Sequence, residues 1–233
     1  MPPKNRNKEM HSILTKIQQL FDDKGIYPMA YSIVFDIIKI LADNINYRNN
    51  EALLSSKLTE KIRTDFFMNM MYEADEIKND QEIVIELGRH PVLSDMWNER
   101  KQLEALGMFS KKEVVWKEDN INHIYRLFLP MGLTVVVNGF HSINAGIVKN
   151  IGSLCFSPNS INNKIYDISS LYDKVYFDGT NYRNIENNKI VQGYEKDKSI
   201  FELGCIFEIG RIIHNEKQKG KPIDFVEYIK MYN

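Results

Sequence analysis

Pro130-Met-Gly-Leu-Thr-Val-Val-Val-Asn-Gly-Phe-His-Ser-Ile-Asn-Ala-Gly-Ile147 decides the fold. Leu133 to Val137 reads as an interior strand, because such a run is costly to expose on either face. Asn138 and Gly139 break it. His141 and Ser142 then stand at the start of a helix expected over Ser142 to Lys149. The first N–H groups of a helix lack internal partners and attract anions, so a strand–Gly–helix turn carrying a histidine is a place to look for chemistry.

Around this turn the chain changes character near residue 80. Before it, Ile13, Leu14, Ile17, Leu20 and Phe21 recur at helical spacing. Gly25 and Pro28 separate that helix from a second. In the second, Ile33, Val34, Ile37, Ile38 and Leu41 make a wide apolar stripe, so this helix should be central. Asn44 to Asn50 reads as a polar loop. Leu54, Leu58, Ile62, Phe66 and Met70 predict a third helix running towards Lys78. The Phe66–Met71 cluster reads as helix core.

After residue 80, short strands are expected over Glu82–Leu87, Val114–Trp116, Ile121–Leu129, Leu154–Ser157 and Lys174–Phe177. A hairpin is expected between Tyr182–Ile185 and Lys189–Tyr194. Helices are expected over Trp97–Leu106 with Gly107 as the stop, around Ile200, Leu203, Ile206, Phe207, Gly210 and Ile213, and after Pro222. The pattern predicts an α+β fold. An N-terminal helical lobe, 1–80, packs on a mixed domain, 81–233, and the two form either separate domains or one compact unit.

Composition narrows the function classes. The chain has 233 residues, 43% hydrophobic and 26% charged, with a formal net charge of -1. That balance excludes a general basic field for nucleic acid or anionic membrane. Only Lys4, Arg6, Lys8 and the Lys217, Lys219, Lys221 run speak for DNA, and such runs read as solvated tails. Cys155 and Cys205 read as free buried thiols. No run suits a signal peptide or a membrane span, so a cytoplasmic location is expected. Richness in Ile, Asn and Lys fits an AT-rich bacterial or phage genome.

The site expectations centre on His141 and Ser142 as catalytic candidates. Asn138, Gly139, His90 and Arg89 are candidates for holding a nucleotide or other phosphate-bearing ligand. A neutral His141 at a helix start would accept a proton or bond a phosphate oxygen; equally, Ser142 caps the helix and His141 bonds a backbone carbonyl. His90 precedes Pro91 and is placed with Arg89 in the same cleft, against the alternative of an ordinary loop. His123 and Tyr125 share one face of their strand. The spacing of His90, His123 and His141 demands no metal, so none is assigned. Asp167, Asp173 and Asp178 are further carboxylates, Asp178-Gly179 reading as a turn. The Walker, G-x-G-x-x-G, H-E-x-x-H and G-x-S-x-G signatures are missing, and the sequence names no cofactor.

Two resemblances rest on these residues. His90-Pro91-Val-Leu93, Trp97-Asn98, Asn122-His123, Asn138-Gly-Phe-His-Ser-Ile143, Gly146-Ile147, Tyr166-Asp-Ile-Ser-Ser-Leu-Tyr172 and Asp178-Gly179 resemble an uncharacterised bacterial family of unknown function over residues 88–185. A proline entry near residue 90, a helix, a strand and then Val137-Asn-Gly-Phe-His-Ser-Ile-Asn-Ala-Gly146 resemble, around residues 90–147, the ParB/sulfiredoxin-like fold, in which an acid-Gly-x-His-Arg turn binds nucleotide phosphates. Gly139 and His141 match; Asn138 replaces the acid and Ser142 the arginine. The functional expectation is a nucleotide- or phosphate-binding cleft at the Gly139–His141 turn. The alternative is a non-catalytic partner of another protein in a bacterial defence or mobile-element system.

Overall fold

The computed structural model describes residues 6–25, 27–57, 69, 73–158, 160–191, 201–221 and 225–232. The first two helices are α1, Arg6–Asp22, and α2, Tyr27–Leu54. Met10, Ile17 and Phe21 bury the inner face of α1. In α2, Val34, Ile38 and Leu41 are buried as the stripe predicts, whereas Ile37 is only partly buried at its margin.

The polar loop expected over Asn44–Asn50 is instead helix, and α2 continues to Leu54. Asparagine is a mediocre helix former, but two of these asparagines point inward. Asn46 and Asn49 are 3% and 1% exposed. The Asn46 amide donates to the Val92 carbonyl at 2.6 Å and accepts the Ser94 N–H at 3.1 Å. Tertiary bonding overrides the local preference.

A five-stranded sheet lies beyond. Its strands are β1 (Asp75–Ile77), β3 (Val92–Leu93), β4 (Ile124–Leu129), β5 (Leu133–Asn138) and β7 (Lys164–Asp167), in the order β1-β7-β4-β5-β3. β4 and β5 are antiparallel, whereas β3 runs parallel to β5 and β7 parallel to β4. Val135 and Val136 are both buried, so β5 is covered on both faces as expected. β1 sits where the third helix was expected to reach, and residues 58–68 and 70–72 lie outside the described residues. Two smaller pairs complete the strands: β2 (Ile83–Glu86) with β6 (Ser153–Phe156), and β8 (Val175–Phe177) with β9 (Tyr182–Asn184).

Several expected elements shift. Val114–Trp116 is not a strand; Trp116 faces inward from a loop and Val115 is exposed. β9 pairs with β8, across the Asp178-Gly179 turn. The expected hairpin is described as far as Val191, by an antiparallel bridge from Arg183 to Ile190 and the backbone hydrogen bonds Asn184 N–H to Lys189 and Val191 N–H to Tyr182, at 2.9 and 3.1 Å. The remaining helices are α3 (Glu99–Met108), α4 (Phe140–Lys149), α5 (Phe201–Gln218) and α6 (Phe225–Tyr232). Gly107 lies inside α3 rather than stopping it. α1, α2 and α5 pack on one another, and α2 also meets β3 and α6. One apolar core joins residues of the N-terminal helices, such as Ile17 and Ile38, to those of the sheet, such as Leu127 and Val135. The fold is α+β, a helical lobe packed on a strand-rich part. No helix among the described residues is long and apolar enough to cross a membrane.

Candidate functional site

β5 delivers its C-terminal end to Gly139, which takes φ +82 and ψ 21 as the N-cap of α4. This left-handed conformation suits glycine. Space requires glycine as well: a Cβ here would stand 2.5 Å from the His123 ring and 3.0 Å from the Asn122 carbonyl oxygen. The cap has no side-chain hydrogen bond, and the first turn of α4 has no acidic residue. The α4 terminus is therefore a positive helix end that its own side chains leave uncompensated.

The parallel pairing of β3 with β5 decides which residues join Gly139. The chain leaves β3 at the same end of the sheet at which it leaves β5. The Ser94 hydroxyl donates to the Phe140 carbonyl at 2.7 Å. The Asn98 N–H donates to His141 Nε2 at 3.2 Å, and Asn98 is itself the N-cap of α3. Further along, Gln102 donates to the Asn144 side chain at 2.8 Å, and Lys149 to the Ser110 hydroxyl at 2.7 Å. These contacts step along both helices in the same direction. α3 and α4 are thus parallel, with their N-termini side by side. Trp97, 55% exposed, meets the His141 ring edge-on at 5.5 Å and carries the Lys101 ammonium 4.8 Å from its centroid.

His90 and Arg89 precede β3, so they lie at the opposite end of these strands from Gly139 and His141. The shared cleft expected for them is not formed. His90 is folded into its own turn, where Nδ1 accepts the Glu86 N–H at 2.9 Å, and its ring packs edge-on against Phe225. Burial, with help from the Arg89 and Lys39 charges, pushes its pKa down to about 4. Arg89 is exposed.

Ser142 is paired with His123, a combination that resembles a nucleophile and its base. The bonding shows otherwise. His123 Nδ1 accepts the Asp119 N–H at 2.9 Å, so the neutral ring carries its proton on Nε2. That N–H faces Ser142 Oγ at 2.7 Å, and the Ser142 hydroxyl donates onward to the Gly139 carbonyl at 3.1 Å. A ring that donates to the hydroxyl cannot take its proton. Burial lowers the His123 pKa against the opposing pull of Asp119, which favours the neutral ring. His90, His123 and His141 each accept a backbone N–H, and among the described residues no group of three or more His, Cys, Asp or Glu side chains is gathered to hold a metal.

The Val114–Trp116 loop, expected as a strand, secures this turn. Trp116 Nε1–H donates to the Ser142 carbonyl at 2.9 Å, and the indole stacks on His123 at 5.2 Å. Beside it, Glu118 accepts the Cys155 N–H at 2.9 Å and the Tyr125 hydroxyl, and burial raises its pKa. Sequence reading missed Ser94, Trp97, Asn98 and Lys101 as neighbours of His141. Trp97-Asn98 stands as a visible aromatic–cap pair before a helix, but nothing local tells which other helix it meets. Asp178 serves its turn: it accepts the Thr180 and Asn181 N–H groups and pairs with Arg183. Cys155 and Cys205 are free thiols, half-buried and buried.

No curated protein and no solved structure matches the chain, so the ParB/sulfiredoxin likeness rests on Gly139 and His141 alone. The likeness to an uncharacterised family extends well beyond residues 88–185. A family model matches residues 2–220, and the chain belongs to that family, a family of unknown function designated DUF6710.

Proposed function

We propose that this protein binds a phosphate-bearing ligand of the nucleotide class at the adjoining N-termini of α3 and α4. The observation that carries the reading is the parallel pairing of these helices at the carboxyl ends of β3 and β5. Parallel helices add their dipoles instead of cancelling them, and the ends of parallel strands are where such ligands bind. Glu99 answers the dipole of α3, while α4 has no acid in its first turn. The backbone N–H groups of that turn would face the phosphate. Lys101 would supply a countercharge and the exposed Trp97 a stacking surface for a base. Ser142 and His123 hold the turn rather than perform hydrolysis, so the role proposed is binding, not acyl or phosphoryl transfer.

A thermal-shift panel of ATP, ADP and inorganic phosphate, with and without magnesium, tests this. At a ligand concentration a hundredfold above Kd, stabilisation is about 2.7 kcal/mol. For a chain of this size that is a rise of roughly 5–10 °C in Tm. Trp97→Ala should reduce the nucleotide shift to that of phosphate alone, and His141→Ala should reduce both. Absence of any shift in the wild type, or equal shifts in all three proteins, would reject the site.

A further inference from the structure

Four of the exposed large apolar side chains belong to one helix. In α2, Met29, Ile40, Tyr47 and Leu54 are 56%, 59%, 70% and 48% exposed. Their spacings are eleven, seven and seven residues. At ~100° per residue all four fall within about 40° of one another on the helix wheel, along a line roughly 37 Å long. Scattered apolar residues on a surface need no explanation, but an ordered line of them does.

The charges on the line have one sign. Asp36, Asp43 and Glu51 fall between the apolar residues, and no lysine or arginine lies within about 60° of it. The cations of α2 itself, Lys39 and Arg48, stand to the sides and are engaged, Lys39 with Asp43 at 2.6 Å and Arg48 with Glu202. The opposite side of α2, with Val34, Ile38 and Ile45, is committed to the core. The outward line is therefore not needed to hold the helix in place.

We infer that the outward face of α2 docks a basic amphipathic helix of a partner protein. An apolar line interrupted by acids is complementary to a helix that presents apolar and basic residues at the same period. The sign of the charge decides among occupants. Asp43 is already paired with Lys39, but an antiparallel second copy seated with Ile40 against Tyr47 would bring Asp36 against Glu51, and an anionic membrane would be repelled. This surface goes beyond the proposed ligand site and does not depend on it.

The test uses the full chain and two fluorescein-labelled helical peptides, one built of leucine and lysine at this period and the other of leucine and glutamate. Fluorescence anisotropy should show binding of the Leu/Lys peptide, weakening as salt is raised, and none of the Leu/Glu peptide. The double variant Ile40→Lys, Tyr47→Lys, with unchanged circular dichroism, should weaken binding roughly tenfold or more, and Asp36→Asn, Glu51→Gln should weaken it and flatten the salt dependence. Equal binding of both peptides, no binding of the Leu/Lys peptide, or indifference to the double variant would overturn the proposal. So would a wild-type dimer in light scattering that the double variant disperses, which would assign the face to a second copy.

Discussion

Replacing Asn46 with alanine should destabilise the protein far more than its place among the polar residues of α2 implies. Its amide holds the outer edge of β3 through the Val92 carbonyl and the Ser94 N–H, at 2.6 and 3.1 Å, and the side chain is buried. Alanine would leave two backbone groups unpaired away from water, each at a cost of about 1–3 kcal/mol. Alanine's better helix propensity returns up to about 0.7 kcal/mol. The net expectation is a loss of about 1.5–5 kcal/mol, read from the midpoint of urea unfolding followed by circular dichroism. Asn50 is the control. Among the described residues its amide donates only to the Asn46 carbonyl one turn back, at 2.9 Å, so Asn50→Ala should change stability by less than about 1 kcal/mol. Amide exchange at Ser94 should also quicken in Asn46→Ala. A loss no larger than that of the control, with Ser94 still protected, would refute the idea that α2 closes the sheet edge.

The turn and the buried histidine give two further outcomes. Gly139→Ala should cost about 2 kcal/mol or more, since its Cβ would meet the His123 ring at 2.5 Å in a backbone conformation that alanine adopts at a penalty of about 1–2 kcal/mol; unchanged thermal unfolding would show that the turn relaxes freely. His90, with its pKa lowered from 6.5 to about 4, is unprotonated in the folded chain while the unfolded chain takes up a proton. Its contribution is therefore complete above pH 6.5 and is lost as pH falls towards 4, by about 3 kcal/mol at ~1.36 kcal/mol per unit. Urea titrations across that window should show His90→Asn lacking this part of the slope, and parallel pH profiles would contradict it.

The strand-to-helix turn is legible in the sequence because its signals are local: an apolar run, a glycine and a helical spacing, all within Leu133–Lys149. β1, β3 and β7 are not. β3 has two residues, too few for any period, and β1 is wholly exposed, so it shows no alternation. Asn44–Asn50 misleads for the converse reason: its local composition says loop, and bonds to residues 46 and 48 positions away make it helix. At the site, Gly139, His141 and Ser142 are neighbours in sequence. Their partners Asn98, Trp97, His123 and Trp116 arrive through the parallel register of β3 and β5 and through a loop, which no period in the chain announces. His90 shows the limit of motif reading, since its own strand carries it to the far end of the sheet.

Gln102 and Asn144 lie wholly buried between α3 and α4, sharing one hydrogen bond, while Gln102 Oε1 and Asn144 Nδ2 make none among the described residues. Such a pair is a poor glue and a good key. A slip of one turn, about 5.4 Å, would strand both amides and carry His141 away from Asn98. An aliphatic pair would tighten the joint yet tolerate that slip, as buried polar groups elsewhere fix register at the expense of stability. A laboratory selection for heat resistance alone should therefore discard Gln102 and Asn144, and the winners should hold their two helix starts in several alignments instead of one.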